Sequence, residues 1–250
     1  MGEWSRTDGR DTADVIDAWL DLIHGTTCVG CPTPGRSLCA DCARLLPRRG
    51  RRVRPTPCPD GLATCFAAGE YDGLLRAMIL AHKERAAYTL ARPLGQLLAV
   101  AAGRTLEAVA PAVLVPVPSR ASVVRSRGHD PMLRVARAAA RCLRRQGRSA
   151  GVLNVLRQHA PVQDQSGLSA SQRAANLAGS MRVRPAAREA LARTGAPVSL
   201  LVCDDVLTTG ATAREAQRAL EEAGLGVRAV VTVAATRKRH EPGRSDPGRS

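Results

Sequence analysis

The chain has 250 residues, 44% of them apolar, which leaves room for one large domain with a sizeable core and a small module beside it. Its net charge of +15 favours anionic partners, but it rests on arginine (Lys83 and Lys238 are the lysines), a bias that GC-rich coding also produces, and the aromatic residues Trp4, Trp19, Phe66, Tyr71 and Tyr88 are too few for a base-stacking platform. No stretch has transmembrane length and no signal peptide is visible, so a cytoplasmic protein without membrane insertion is expected, in which eight cysteines argue for metal or buried thiols rather than disulfides.

Residues 1–12 are polar, and 14–24 form a helix pattern with Val15, Ile16, Trp19, Leu20, Leu22 and Ile23 on its apolar face, closed by Gly25. Cys28-x₂-Cys31 and Cys39-x₂-Cys42 follow, separated by a turn rich in Pro and Gly. Two such pairs point four thiolates at one ion, the ligand set of a closed structural zinc site in a zinc-ribbon-like module. A redox role for one pair is the weaker alternative. Residues 47–60, rich in Pro and Arg, read as a linker, either solvated or a basic contact for nucleic acid. Cys58, Cys65, Cys142 and Cys203 read as core thiols. The expected division is 1–57 for the helix, metal module and linker, 58–236 for the main domain, and 237–250 for a disordered tail.

In the main domain, 63–68 reads as a strand, and Tyr71-Asp72-Gly73 as a turn. A helix over 74–82 follows, with Leu75, Met78, Ile79 and His82 facing inward or along its edge and Lys83 at its close. A second helix covers 87–105. Residues 112–115 form a buried strand that Pro116 and Pro118 force out of the sheet. Arg120, Arg125 and Arg127 follow in one segment, then Gly128, a helix over 131–146 and a strand over 152–156. The polar run 157–180, with a short helix over 169–177, reads as a functional or mobile loop. A strand over 198–203, a helix and a last strand over 227–234 complete an α/β pattern with a mostly parallel sheet flanked by helices.

One stretch dominates the rest: Val202-Cys203-Asp204-Asp205-Val206-Leu207-Thr208-Thr209-Gly210-Ala211-Thr212. It reads as strand, loop and helix start, and in open α/β sheets ligands sit beyond the carboxyl ends of the strands. Thr208, Thr209 and Thr212 supply hydroxyl donors, Gly210 and Ala211 let amides approach an anion, and the helix N-terminus adds unpaired N–H groups. Asp204 and Asp205 suit ribose hydroxyls or a hard cation such as Mg²⁺.

This segment resembles the phosphoribosyl pyrophosphate (PRPP) motif of type I phosphoribosyltransferases. The chain as a whole is similar to the ComF family, which joins a zinc-binding segment to a phosphoribosyltransferase-like domain. Val115-Pro116-Val117-Pro118, Arg125-Ser126-Arg127-Gly128, and Gln165-Ser166-Gly167-Leu168-Ser169 with Arg173 and Asn176 carry that match, and Lys83 stands where the family has a lysine after a helix. It departs at His129-Asp130, where the family has an aromatic residue and Asn, and at Glu84, where a Tyr is common.

The resemblance implies roles. Asp204 and Asp205 would be the catalytic pair, binding ribose hydroxyls and Mg²⁺. Thr208, Thr209, Gly210, Ala211 and Thr212 would cradle the 5′-phosphate. Ser119 and Arg120 would form the pyrophosphate loop, with Arg127 and Lys83 as further cations. The implied ligand is PRPP or, more weakly, ribose 5-phosphate. A protein of DNA uptake or natural transformation would also meet single-stranded DNA and competence or recombination proteins, and a homodimer is within the expectation. The alternatives are an active transferase of nucleobase salvage and a PRPP-sensing regulator.

Overall fold

The computed structural model describes residues 26–106, 110–119, 130–158, 177, 179–185 and 198–237. Its strands in chain order are β1 (Arg51–Val53), β2 (Cys65–Glu70), β3 (Ala112–Pro116), β4 (Ala150–Val152), β5 (Leu156–Gln158), β6 (Met181–Val183), β7 (Ser199–Leu207) and β8 (Ala229–Ala235). The helices are α1 (Ala40–Arg44), α2 (Gly73–Glu84), α3 (Ala91–Ala102), α4 (Pro131–Arg145) and α5 (Ala211–Glu222), with a 3₁₀ turn at Tyr88–Leu90. Six strands form one sheet in the order β1-β2-β8-β7-β3-β4. All neighbours are parallel except β1, which lies antiparallel on β2. β5 and β6 make a separate antiparallel pair.

Parallel neighbours need crossover connections, and here these are helices lying on opposite faces of the sheet. Along β7, Leu201 and Cys203 enter one core with Met78, Leu98, Val135 and Leu143 of α2, α3 and α4. The alternate residues Leu200 and Val202 enter the other with Ala216 and Leu220 of α5 and with Leu156 and Met181 of the small hairpin. Burial on both faces is why β3, β7 and β8 read as continuous apolar runs. From β3 the chain crosses through α4 outward to β4. From β7 it crosses through α5 in the other direction to β8. The order therefore reverses between β3 and β7, and such switch points open a crevice at the carboxyl ends of the strands.

Charged residues secure the pieces around that crevice. Asp130 caps α4 by accepting from the amides of Met132 (3.0 Å) and Leu133 (3.3 Å), with Pro131 in the first turn. Buried Glu215 of α5 accepts from the Met181 amide at 2.8 Å and from Arg218, whose guanidinium also donates to the Met181 carbonyl at 3.0 Å. That network ties the β5–β6 hairpin to α5.

Several boundaries differ from expectation. The Arg/Pro-rich run supplies β1, an edge strand whose exposed arginines hide its pairing with β2. The apolar run expected as one strand over 152–156 splits. β4 ends at Val152, the exposed Asn154 intervenes, and β5 turns away to pair with β6. The helix expected over 87–105 begins as the 3₁₀ turn, and β7 runs on past Cys203 to Leu207. The expected helix over 14–24 and the tail past Arg237 lie outside the described residues, as does all but Leu177 of the expected helix over 169–177. Among the described residues no helix is long and apolar enough to cross a membrane.

Candidate functional site

The crevice begins where β3 leaves the sheet. Val117 makes the last contact, its amide donating to the Cys203 carbonyl at 2.9 Å, and Pro118 has no N–H to continue. β7 continues, paired with β8 through Asp204↔Thr232, Val206↔Ala234 and Leu207↔Ala235. Asp204 and Asp205 are thus part of a strand with one open edge rather than of the loop after it. That edge faces a cavity of about 380 Å³. Its polar lining includes Asp204, Asp205, Thr208, Thr212, Ser119, Lys83, Tyr71 and Gln158, and its apolar lining Val117, Pro118, Met132, Leu177, Met181 and Val206.

The two carboxylates stand against each other. Burial, and then the charge of Asp205, push the Asp204 carboxyl up to about 7. Lys83, in the last turn of α2, forms an ion pair with Asp205. Burial alone would lower the Lys83 ammonium, but Asp205 and Asp204 together hold it above its usual value. Among the described residues one cation thus serves two carboxylates, and the pair retains capacity for a second. Their oxygens are the hard donors that Mg²⁺ takes.

Beyond β7 the chain turns through Thr208, Thr209 and Gly210 into α5. Gly210 has φ +73°, and a β-carbon there would stand 2.9 Å from Leu62 Cδ2 and from Pro55 Cγ. The loop between β1 and β2 folds onto this turn and is held by α5. The Arg214 Nε donates to the Asp60 carbonyl and the Gln217 Nε2 to the Gly61 carbonyl, both at 2.9 Å. Among the described residues no side chain caps the α5 N-terminus, whose first amides have no partner within the helix. Across the crevice, Ser119 Oγ donates to Asp130 Oδ1 at 2.9 Å, which joins the end of β3 to the cap of α4.

The structure therefore brings together Asp204, Asp205, Thr208, Thr212, Ser119 and Lys83, with Thr209, Gly210 and Ala211 completing the turn. Arg120, Arg125, Arg127, Gln165, Arg173 and Asn176 lie outside the described residues. Tyr71, Gln158 and Met181 were not anticipated. They reach the cavity through sheet order and the β5–β6 pairing, which leave no local pattern. In the sequence Asp130 stands as a departure from the family pattern, and an Asp before a Pro at a helix start is the signal that would have marked it as an N-cap. A larger cavity of about 540 Å³ is lined by residues 52–55 and 58–65, from the end of β1 to the start of β2, and contains none of the expected site residues.

The four cysteines form a second centre. The Sγ atoms of Cys28, Cys31, Cys39 and Cys42 lie within 4.8 Å of one another and could hold a metal ion such as zinc. The surrounding backbone suits thiolates. The Cys28 sulfur accepts from the amides of Cys39 (3.3 Å) and Gly30 (3.5 Å), and the Cys39 sulfur from the Cys42 amide (3.4 Å). Burial would raise the Cys28 thiol, but those amides bring it below its usual value. Hydrogen bonds with Thr33 bring Cys31 down to about 6, while burial pushes Cys42 up to about 12. The other cysteines remain apart. Cys203 and Cys65 are buried, and Cys58 and Cys142 half-buried.

No family model matches the chain, and no curated protein matches it. The crevice and the cysteine centre carry the functional reading.

Proposed function

We propose that the chain is a type I phosphoribosyltransferase-like protein of the ComF kind that binds PRPP with Mg²⁺ in the crevice. One observation carries this reading: an Asp-Asp pair at the switch point of a parallel sheet, running directly into a Thr-Thr-Gly-Ala-Thr turn at an uncapped helix N-terminus. In this reading the 5′-phosphate rests on the amides and hydroxyls from Thr208 to Thr212, where the helix dipole favours an anion. The ribose diol faces Asp204 and Asp205. The pyrophosphate extends toward Ser119 and Lys83, with Arg120 and Arg127 as further cations. Mg²⁺ held by Asp204 and Asp205 would neutralise the carboxylate pair and draw charge from the pyrophosphate. If turnover occurs, it is displacement of pyrophosphate at ribose C1, for which positioning and cations on the leaving group provide most of the acceleration.

Calorimetry with PRPP and Mg²⁺ tests the binding. Charge-assisted hydrogen bonds are worth about 1.5–3 kcal/mol each, so an Asp204→Ala/Asp205→Ala double variant should bind at least about tenfold more weakly. Equal affinity in a folded double variant would refute the reading. Pyrophosphate release across a panel of nucleobases then separates a transferase from a PRPP sensor.

A role in DNA uptake is the associated reading. It is supported by the resemblance to the ComF family and by Arg52 and Arg54, exposed on and just beyond the outer strand of the sheet. Single-stranded DNA binding should then be electrostatic and not base-specific, with a log–log salt slope of about −0.7 per phosphate contact. Binding that persists at high salt would contradict it.

A further inference from the structure

Lys83 is the crevice's cation among the described lining residues, and the segment that carries it is gripped at both ends by the cysteine module. Leu74 lies in the first turn of α2 and Lys83 in its last, nine residues or about 13 Å apart along the same helix. Leu74 packs on the cluster of Cys28, Cys39 and Cys42. The fit is tight there: a β-carbon on Gly30 would stand 2.7 Å from Leu74 Cδ1 and 2.8 Å from Cys42 Sγ. On the far side of Lys83, Thr89 Oγ1 donates to Ser37 Oγ at 2.9 Å. Ser37 is buried between the two cysteine pairs, and its carbonyl accepts from the Val29 amide at 3.0 Å, inside the first pair. Between Lys83 and Thr89 lies Ala86 with φ +55°, a left-handed conformation that a β-carbon disfavours and that its surroundings must hold.

We propose that the metal-loaded cysteine module is a clamp that seats Lys83 on Asp205, with Leu74 and Thr89 as the positioning residues through which it acts. A bound metal fixes the two pairs, and with them Ser37 and the surface under Leu74. Without it both grips loosen, Ala86 relaxes, and the last turn of α2 carries Lys83 away from Asp205. The consequence for ligand binding rests on the phosphoribosyl reading. The metal state of a module outside the crevice then sets the affinity of the crevice for a phosphorylated sugar.

The composition offers a selective probe. Lys83 and Lys238 are the lysines of the chain, so reductive methylation with ¹³C labels two side-chain sites besides the terminus. In the zinc-loaded protein the Lys83 signal should stand apart from that of Lys238. It should move on chelation to the position it takes in Asp205→Asn. Leu74→Ala and Thr89→Val, with zinc still bound, should move it part of the way, and these variants decide the matter if chelation unfolds the chain. In parallel, chelation should weaken PRPP binding by about tenfold in the parent, the worth of one charge-assisted contact, and by less than about twofold in Lys83→Met. A Lys83 signal that ignores both chelation and the two zinc-loaded variants would overturn the clamp. So would an equal loss of affinity in the parent and Lys83→Met. If the zinc-loaded parent binds no PRPP, the phosphoribosyl reading fails, and the methyl signal judges the clamp by itself.

Discussion

The cysteine centre and the carboxylate crevice both gather like groups around a place for a cation, yet they are assembled in opposite ways. All four sulfurs come from residues 28–42, so closing the site requires two short loops and little entropy. The crevice takes its walls from α2, the end of β3, the β5–β6 hairpin and β7, segments that meet only when the sheet forms. The cysteine ligands are softened by amides aimed at them, and two of the thiols titrate below their usual value. Among the described residues the carboxylates have fewer donors, and burial, with the repulsion from Asp205, lets Asp204 keep its proton up to about 7. A site built locally can be lost locally, whereas a site built by the fold is strained by its own chemistry and stabilised from outside.

Four changes probe this contrast, in falling order of effect. Cys39→Ser removes a buried ligand that also accepts the Cys42 amide. It should abolish zinc binding and unfold the module, because metal affinity of about 10–16 kcal/mol in small structural sites is also folding energy. Metal analysis and hydrogen exchange over residues 26–46 would check this, and zinc retained at one ion per chain would refute the four-ligand assignment.

Glu215→Ala should cost about 2–3 kcal/mol, since it leaves the Met181 amide and part of Arg218 without a buried acceptor. Burial would raise the Glu215 carboxyl, but Arg218 and the Met181 amide together lower it. Its stabilisation is therefore present above the unfolded value of about 4.5 and fades as the pH falls through the lower folded value. Denaturation of Glu215→Gln should accordingly differ from the parent more at pH 7 than at pH 3.

Gly210→Ala places a side chain at φ +73° and 2.9 Å from Leu62 and Pro55. A loss of about 1–2 kcal/mol is expected, together with movement of the β1–β2 loop seen as faster exchange at residues 55–62.

Asp204→Asn should stabilise the ligand-free protein. The folded carboxyl keeps its proton up to about 7, whereas in the unfolded chain it is lost near 3.8. The folded state thus binds more protons between those values, and stability falls as the pH rises through them. The Asn variant escapes that fall. Its advantage should be absent near pH 4 and complete above pH 7, read as a higher Tm than the parent at pH 8. A variant less stable than the parent at pH 8 would show that the attraction of Asp204 to the Lys83 charge outweighs its burial and the repulsion from Asp205.

Much of the architecture was legible because its signals are local. The cysteine spacing, the Asp-Asp run into Thr-Thr-Gly-Ala-Thr and the apolar strands each declare themselves within about a dozen residues. β1 stayed hidden because an edge strand faces water, and Arg51 and Arg52 carry no apolar period. The length of β7 was missed because Asp204 and Asp205 interrupt the hydrophobic run while their backbone goes on pairing with β8. The break between β4 and β5 was missed because an apolar run does not report which sheet its halves join.

The sequence by itself determined an α/β chain, a four-cysteine centre and an acidic strand end that meets a small hydroxyl turn, since each depends on residue type and short spacing. The tertiary structure decided which distant residues share the crevice: Lys83 with Asp205, Ser119 with Asp130, and Tyr71 and Gln158 along the wall. It also decided that the cysteine module grips α2 and the turn after it. The reason is physical. Spacing along the chain governs contacts only as far as a turn or a helix reaches, and beyond that the neighbours are chosen by the order in which strands pair.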